Sequence, residues 1–540
     1  MGNIYSIFFF ISFIFLLHSS LFAQTKPVTQ RASCATNFME ETVLRDRMFE
    51  NRRNAAELLQ RSSHKRIGNQ YTIYVPIQFH LLGTENGTGY ISKEKVLDAL
   101  CYTNELYYKR PADILGDGSA DDTLTVIFYL NTPFHYINNN ILFNHSDPSI
   151  VSYLMSLNKV QGALNVFVGL TIPSSGGQGT TLAYYSGLTD CIYAIKSTIN
   201  GSSATLAHEI GHYFSLAHPH YGWDGLDYSI DPTVIASGCA PAMTTNAVIC
   251  EKVARSGPTE NCQIAADGFC DTKPDYNFGI FSVCSNNIQA SDPDCVPLPQ
   301  PNTDNVMSYF DDACTNDFTP EQIRAVYLDL VSRGYIYNSP SGTIPITQSP
   351  VLVYPIDSQL SFYPSAIHLD WNGVYGATSY LVTAYEYLLG VQIQVATQQI
   401  VNTTDAWFVG LPNRVYGWKV KPLGTTDICN DFESELEFFI TDDWALAVQD
   451  VNSPIFQCQI SPNPVKSGNS IHVSYSLQTE QSIQVSIFNP LGQSLMPPIP
   501  IESHIGQNQY QLALSNLTPG IYYICLASSE NLSSHKIIVE

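Results

Sequence analysis

Residues 208–218 bring together the side chains whose types and spacing could do chemistry: His208, Glu209, His212 and His218. His208 and His212 are four residues apart, so on a helix both imidazoles lie on one face and can reach one metal ion. Glu209 lies one step round the helix, where its carboxylate can contact a metal-bound water without binding the metal. Three protein ligands leave the fourth position of zinc for that water, which is typical of a catalytic site.

His218 lies six residues after His212 and can be the third ligand only if the helix ends between them. We therefore expect a helix over about 203–216 that stops in time for the chain to turn back. His220 also lies close by, but its spacing is wrong for a ligand. We expect it to be exposed or to lie just outside the ligand set.

A domain of mixed strands and helices is predicted to position this motif. Apolar runs at 72–80, 124–130 and 164–170 indicate strands. A helix is expected from Ser92 to Tyr108 with Ser92 as its cap, and another over 319–331 with Thr319 as cap and Pro320 at its first position. A long cysteine-rich stretch without regular elements separates the motif from the last helix. This order predicts one α/β or α+β domain over about 70–335.

Composition limits what the rest of the chain can be. It has 540 residues, enough for two to four domains. Lys and Arg total 25 against 48 Asp and Glu, a net charge of −23 that disfavours nucleic-acid binding. Five of the 13 cysteines fall between Cys262 and Cys314, which indicates disulfides and an oxidising compartment. Because 13 is odd, at least one cysteine lacks an intramolecular partner.

The N-terminal residues indicate export. An apolar run from Ile7 to Leu17, followed by small residues up to Ala23, predicts a secretory signal peptide; the alternative is a membrane anchor, because no Lys or Arg precedes the run. No later segment is apolar enough to span a membrane. Residues 24–66 are polar and charged, so helices are plausible there, but we expect no core.

After about residue 335 the pattern changes to short alternating strands and turns, typical of β-sandwiches. The predicted organisation is therefore a signal peptide at 1–23, a pro-segment at 24–66, the catalytic domain at 67–335, a linker at 336–350, a β-sandwich at 351–441, a linker at 442–455 and a second β-rich block at 456–540.

The motif resembles the extended zinc-binding motif of metzincin metallopeptidases, and more closely that of their pappalysin-like branch. Three later segments share the resemblance: Asp267-Gly-Phe-Cys-Asp271-Thr-Lys-Pro, the Met-turn-like Asn305-Val-Met307-Ser-Tyr309, and Cys314-Thr-Asn-Asp-Phe-Thr-Pro-Glu-Gln-Ile-Arg324. The resemblance implies an α+β metzincin-like fold with a twisted sheet and with Met307 as an apolar floor beneath the histidines. It implies zinc as cofactor and allows calcium as a second one. Tyr309 would donate to the oxyanion, although a buried structural tyrosine is the alternative.

Two positions depart from the family pattern. Ser215 stands where the family usually has Gly, at the point where the helix must end, and Ser in the left-handed conformation costs roughly 1–2 kcal/mol. Ala313 stands where some members have an Asp that shapes a pocket for basic side chains. A preference for Arg or Lys in the substrate is therefore not implied.

Cys34 lies in a segment, Arg31-Ala-Ser-Cys34-Ala-Thr36, that is similar to the short cysteine-containing pro-segment motif of some pappalysin-like enzymes. A thiolate is a strong zinc ligand, so Cys34 could fill the open zinc position and keep the enzyme latent. The alternatives are that Cys34 forms a disulfide or is free in a flexible tail.

Two further resemblances concern the C-terminal blocks. Residues 351–441 resemble a fibronectin type III domain, with Trp371 and Trp418 expected in its core. Residues 456–540 resemble the C-terminal sorting domain of the type IX secretion system through Ser461-Pro-Asn-Pro464 and Leu517-Thr-Pro-Gly-Ile-Tyr-Tyr523; a small adhesive sandwich is the alternative.

The sequence thus predicts a secreted zinc metalloendopeptidase. Its partners would be protein or peptide substrates and bacterial secretion machinery. One alternative is a catalytically inert surface binding protein that uses its β-sandwiches, which an altered zinc triad would favour. Another is an amidase or other zinc hydrolase, which the Met-turn segment disfavours.

Overall fold

The computed structural model describes residues 33–34, 38–62, 68–131, 134–173, 181–223, 228, 237–244, 247–281, 284, 289–335, 340, 343–356, 359–361, 366–388, 390–441, 455–477, 482–489, 494–514, 517–527 and 532–540. The signal peptide predicted at 1–23 and nearly all of the linker predicted at 442–455 lie outside these ranges. The chain divides into two compact units, Met1–Ser341 and Gly342–Glu540.

A mixed eight-stranded sheet organises the first unit. Its strands are β1 (Ser33–Cys34), β2 (Gln70–Gly83), β3 (Arg110–Ala112), β4 (Asp122–Leu130), β5 (His135–Asn138), β6 (Leu164–Gly169), β7 (Thr181–Ser186) and β8 (Cys191–Ile195). Their order is β1-β7-β8-β6-β2-β4-β3, and β5 also pairs with β2. The central strands β4, β2, β6 and β8 run parallel, whereas β3 is antiparallel to β4 and β7 is antiparallel to β8. β6 and β8 are buried on both faces, as their continuous apolar sequences require.

The helices of this unit confirm the predicted caps. They are α1 (Phe38–Arg53), α2 (Ala55–Ser62), α3 (Lys93–Leu106), α4 (Asn140–Asn144), α5 (Pro148–Asn158), α6 (Thr205–Tyr213) and α7 (Pro320–Ser332), with a 3-10 turn at Phe278–Phe281. The Ser92 side chain caps α3. Thr319 and Gln322 form a reciprocal capping box at the start of α7, and Pro320 occupies its first turn. A mixed sheet with separate helices agrees with the predicted α+β class.

The prediction that residues 24–66 contribute no core is wrong. Helices α1 and α2 pack against α7. Leu44, Met48 and Leu58 are at most 5% exposed. Many residues of this segment are charged, so its average composition did not indicate a core. The buried apolar side chains of α1 lie on one face of the helix only.

The region between α6 and α7 is irregular and stapled by disulfides, as the cysteine density predicts. The pairs are Cys239–Cys295, Cys262–Cys270 and Cys284–Cys314. Within the described ranges, Cys191, Cys250 and Cys458 are not part of a disulfide. The odd cysteine count therefore does not single out Cys34 as the unpaired thiol.

The first block of the second unit has two sheets. Its strands are β9 (Leu352–Tyr354), β10 (Gln359–Ser361), β11 (Ile367–Trp371), β12 (Ser379–Leu388), β13 (Val391–Val401), β14 (Asp405–Phe408), β15 (Val415–Leu423) and β16 (Glu437–Thr441). One sheet has the order β14-β11-β9 and the other β10-β16-β15-β12-β13. Trp371 and Trp418 are 2% and 0% exposed, which confirms them as core. The Leu411 N–H donates to the Tyr416 hydroxyl at 2.8 Å, the pattern of a tyrosine corner.

The second block also has two sheets around its own apolar core. Its strands are β17 (Ile455–Ser461), β18 (Ser470–Leu477), β19 (Ile483–Phe488), β20 (Ile499–Ile501), β21 (Gly506–Ala513), β22 (Gly520–Ala527) and β23 (Leu532–Val539). The sheet orders are β17-β18-β21 and β20-β19-β22-β23. Ile471, Val485 and Ile524 are fully buried in the core of this block. Within the described residues, no helix has both the length and the apolar composition that crossing a membrane requires.

Candidate active site

Helix α6 presents the first two histidines and then ends as the third requires. The N–H of Ser215 donates to the His212 carbonyl at 2.9 Å, and that of Leu216 donates to the Gly211 carbonyl at 3.0 Å. These two bonds form a Schellman motif, in which the residue after the cap is left-handed. Ser215 has a φ of 71°, as the resemblance led us to expect of this position. The helix is shorter than the predicted 203–216, and the chain reverses in time to return His218.

The three imidazoles converge on one point. The Nε2 atom of His218 lies 3.1 Å from the Nε2 atom of His208 and 3.1 Å from that of His212. Imidazole nitrogens about 2.0–2.1 Å from a tetrahedral zinc lie about 3.3 Å apart, so these spacings are close to those of a zinc site. His208 is 7% exposed, and the other two are fully buried.

The outward nitrogen of each imidazole has an oxygen atom within 2.8 Å. His208 Nδ1 donates to the Val306 carbonyl at 2.7 Å, and His212 Nδ1 donates to the Leu216 carbonyl at 2.8 Å. His218 Nδ1 lies 2.6 Å from a carboxylate oxygen of Glu41. These partners keep the proton on Nδ1 and turn the Nε2 lone pair of each ring inward, as in protein zinc sites. The residues present therefore fit a zinc ion.

Glu209 lies beside this cluster without joining it. The group of potential metal ligands in the described residues comprises His208, His212 and His218 and not Glu209. The Glu209 side chain is fully buried on α6, directly after the first ligand. A second group, formed by Glu260, Cys262 and Cys270, is not a metal site, because its two sulfurs form a disulfide.

The predicted Met-turn lies against α6, the helix that carries His208 and His212. Met307 is fully buried, and a side chain at Gly211 of α6 would collide with its sulfur. The Asn305 side chain fixes the turn: its Oδ1 accepts the Met307 N–H at 2.9 Å, and its Nδ2 donates to Gln322 of α7 at 2.8 Å. The turn therefore lies against the metal helix and is anchored to α7.

Tyr309, at the end of this turn, faces the ligands. Its ring centroid lies 4.6 Å from that of His218 and 6.1 Å from that of His208. The residue is half-buried, so part of it remains accessible. The structure thus brings Tyr309 to the predicted cluster.

His220 is not exposed, contrary to one of the two predicted placements. It is fully buried, and its ring stacks on His218 with a centroid distance of 4.6 Å and an angle of 9°. Its ring also lies 4.5 Å from that of Tyr309. The turn that brings His218 back to the cluster also brings His220 back. The spacing between His212 and His220 in the sequence therefore did not indicate that His220 is buried.

Two interactions of the site were missed from sequence, and both come from α1. Glu41 contacts His218, and Arg47 contacts Ser215 at the end of α6. The signal was present, because Glu41, Leu44 and Met48 follow helical spacing and lie on one face of α1. The many charged residues of the segment made this buried face hard to recognise from the sequence.

A separate buried acidic cluster lies in the irregular region after α6 and includes Asp267 and Glu251. Burial raises the pKa of Asp267 to about 7, and its Oδ2 atom has no hydrogen-bond partner. Burial, and then repulsion from Asp267, raise the pKa of Glu251 well above its ordinary value. Arg255 forms an ion pair with Glu251 at 2.8 Å, which offsets only part of the rise in the pKa of Glu251.

The backbone of Cys34 lies at the edge of the large sheet. Strand β1 pairs in parallel with β7, with Ser33 opposite Thr181 and Cys34 opposite Ala183. β7 in turn packs against α6. The direction of the thiol lies outside what the structure describes.

Comparisons with known proteins identify the C-terminal block. Residues 459–540 match the family model of the secretion system C-terminal sorting domain. This match confirms the predicted sorting domain and with it export by a type IX route to the cell surface or the outside. A sorting domain implies contact with the secretion machinery. No curated protein matches the chain.

Several solved structures are similar to parts of the chain. A mutant of Tannerella forsythia promirolysin is 16% identical, with a TM-score of 0.34, over 56% of this chain and 96% of that one. The chicken CNTN1 FN1-FN3 domains are 14% identical, with a TM-score of 0.18, over 35% of this chain and 66% of theirs. Clostridium thermocellum CbhA fibronectin(III)-like modules are 8% identical, with a TM-score of 0.18, over 35% of this chain and 92% of that one.

Proposed function

We propose that the chain is a secreted zinc-dependent metalloendopeptidase that hydrolyses peptide bonds in proteins. The observation that carries the proposal is the convergence of three Nε2 atoms whose rings are each fixed by an acceptor at Nδ1. His208, His212 and His218 would hold the zinc. Three ligands, rather than four, leave room for water and substrate.

Glu209 would act as the general base and then as the general acid. Zinc, when bound, would acidify a water molecule toward a pKa of about 7 and polarise the scissile carbonyl. The Glu209 carboxylate would accept the proton released by that water and deliver it to the departing amine nitrogen. Its position directly after His208 on α6, outside the ligand group, supports this division of roles.

Tyr309 would stabilise negative charge on the carbonyl oxygen. A hydroxyl that points at the developing oxyanion lowers the barrier because it is already oriented. The ring of Tyr309 lies beside His218 and is half-buried, which suits a side chain that contacts both the ligands and the substrate. Met307 would act only as the apolar floor that supports α6.

Residues 24–66 would be a pro-segment, with Cys34 as the ligand that keeps the precursor latent. Candidate cleavage sites for a trypsin-like activator are Arg45, Arg47, Arg52, Arg53, Arg61 and Arg66. Of these, Arg61 is 59% exposed at the end of α2, whereas Arg47 and Arg52 are bonded within the fold. A Cys34→Ala precursor should show activity before any cleavage, and the unaltered precursor should not. Equal activity of the two uncleaved chains would remove the latency role.

Calcium is the second cofactor that we propose, bound at the acidic cluster. The fully buried, unpaired Oδ2 of Asp267 and the nearby Glu251 supply the hard oxygen ligands that calcium takes. Added calcium should then raise the melting temperature of the unaltered chain. An Asp267→Asn chain should show little of this increase.

The sorting domain would be removed after export. Truncation before residue 456 should leave a folded, active enzyme that fails to leave the periplasm, because the block has its own core and contributes no zinc ligand. An intact C-terminus on the extracellular protein would contradict removal. Normal secretion of the truncated chain would contradict the sorting role.

The proposed activity can be tested with the cleaved, purified chain and a denatured protein substrate. We expect hydrolysis that a zinc chelator abolishes and added zinc restores. A chain that binds stoichiometric zinc and never hydrolyses peptides would instead be the inert binding protein. Hydrolysis of simple amides without peptide cleavage would indicate the other class of zinc hydrolase.

A further inference from the structure

Helix α1 contacts the third candidate ligand directly. One carboxylate oxygen of Glu41 lies 2.6 Å from Nδ1 of His218, and the other accepts the His218 backbone N–H at 3.4 Å. Glu41 is fully buried. The corresponding acceptors of His208 and His212 are backbone carbonyls, at Val306 and Leu216. His218 therefore differs from the other two in depending on a charged side chain from the N-terminal segment.

The same helix also holds the turn that leads to His218. Arg47 Nε donates to the Ser215 hydroxyl, and an Arg47 amino group donates to the Tyr213 carbonyl at 2.6 Å. The Ser215 hydroxyl in turn donates to Asp329 of α7 at 2.7 Å. Arg47 thus caps the C-terminal end of the zinc helix and contacts its left-handed residue.

These contacts are part of a continuous interface. Leu44 and Met48, on the same face of α1, are each 1% exposed. Asn51, one turn further on, donates to Asp329 at 3.0 Å, and Arg47 pairs with the same carboxylate at 3.1 Å. The interface holds α1 over three turns, so Glu41 and Arg47 are placed by packing as well as by their own bonds.

We propose that α1 is a positioning element of the zinc site. Glu41 acts through His218, and Arg47 acts through Ser215, to raise the zinc affinity of any chain that retains the helix. A carboxylate that accepts from the outer nitrogen of a ligating histidine orients the ring and strengthens it as a ligand. Cleavage before Phe38 would keep this support, whereas cleavage after Ser62 would remove it. The inference rests on the proposed zinc site but not on catalysis.

The test is the zinc affinity of the full, uncleaved chain, measured by competition with a chromophoric chelator. Glu41→Gln keeps the shape of the side chain and removes its charge, and loss of such a partner weakens metal binding by roughly 10- to 100-fold. Glu50→Gln makes the same change at an exposed position of α1 and should leave the affinity unchanged. The visible spectrum of the cobalt-substituted chain should also change in Glu41→Gln alone.

A second variant covers the case in which Glu41→Gln folds poorly. Arg47→Met keeps the aliphatic stem, and Asp329 retains Arg333 at 2.7 Å, so this chain should fold. We expect weaker zinc binding, with Arg53→Met, on the exposed side of α1, as its control. Affinities equal to wild type in the folded variants would overturn the inference while leaving the peptidase proposal intact. A wild-type chain that binds no zinc would overturn the proposed function itself.

Discussion

The imidazole cluster and the acidic cluster are both buried, yet the surroundings of their polar atoms differ. An oxygen atom lies within 2.8 Å of the outward nitrogen of each of His208, His212 and His218. Asp267, by contrast, has an unpaired oxygen, and burial raises its pKa to about 7. The three imidazoles are already oriented so that their inner nitrogens converge on one point. The buried carboxyl groups hold their protons more tightly than exposed ones do, and only a nearby cation would favour their ionised form.

The largest expected effect separates metal binding from chemistry within the imidazole cluster. Glu209→Ala should keep stoichiometric zinc but reduce peptide hydrolysis by roughly 10²- to 10⁴-fold, because the general base is lost and no ligand is. Steady-state hydrolysis and elemental analysis of one preparation measure both quantities. Glu105→Ala, at an exposed position of α3, is the control. Wild-type turnover in Glu209→Ala would exclude the proposed mechanism.

A ligand substitution should break the cluster itself. His212→Ala removes one of three ligands and leaves a buried gap, so we expect the chain to lose its zinc after dialysis. His472→Ala changes an exposed histidine of the sorting domain and should retain it. Stoichiometric zinc in His212→Ala would place the metal elsewhere.

The acidic cluster should reveal itself in the pH dependence of stability. The pKa of Asp267 is about 7 in the folded chain, against about 3.9 for an exposed Asp. Between these values the folded chain holds a proton that the unfolded chain has released, so stability falls as the pH rises. We expect this group to cost the metal-free chain about 2–4 kcal/mol of unfolding free energy between pH 4 and 7.

Denaturant titrations across that pH window measure the effect. An Asp267→Asn chain should lose less stability over the window than wild type, since it no longer carries the titrating group. Added calcium should reduce the loss of unfolding free energy that the wild-type chain shows at pH 7. Parallel pH profiles for the two metal-free chains would contradict the assignment.

The smallest effect concerns the end of the zinc helix. Ser215→Ala keeps the left-handed strain but loses the hydroxyl that bonds to Asp329 and accepts from Arg47, which should cost about 1–2 kcal/mol of stability. Ser215→Gly loses the same bonds, but glycine relieves roughly 1 kcal/mol of backbone strain. Equilibrium unfolding should therefore show a higher unfolding free energy for Ser215→Gly than for Ser215→Ala. The reverse order would mean that Ser215 is not strained.

Local signals in the sequence predicted the elements that hold the site. The His208–His218 spacing, the cap at Thr319 and the turn at Ser215 each depend on neighbours within a few residues, and all three are present. Strand β7 and its neighbour β8 were not predicted, since they are short and lie next to turns. The contact between Glu41 and His218 joins residues 177 apart, which no local pattern could reveal.

X-ray absorption at the zinc edge of the Cys34→Ala chain, loaded with one zinc, tests the proposed metal site most directly. We expect three imidazole nitrogens at about 2.0–2.1 Å and one oxygen, with no sulfur. His218→Ala should reduce the imidazole count to two. Sulfur in the coordination shell of the Cys34→Ala chain, or an unchanged shell in His218→Ala, would contradict the proposed metal site.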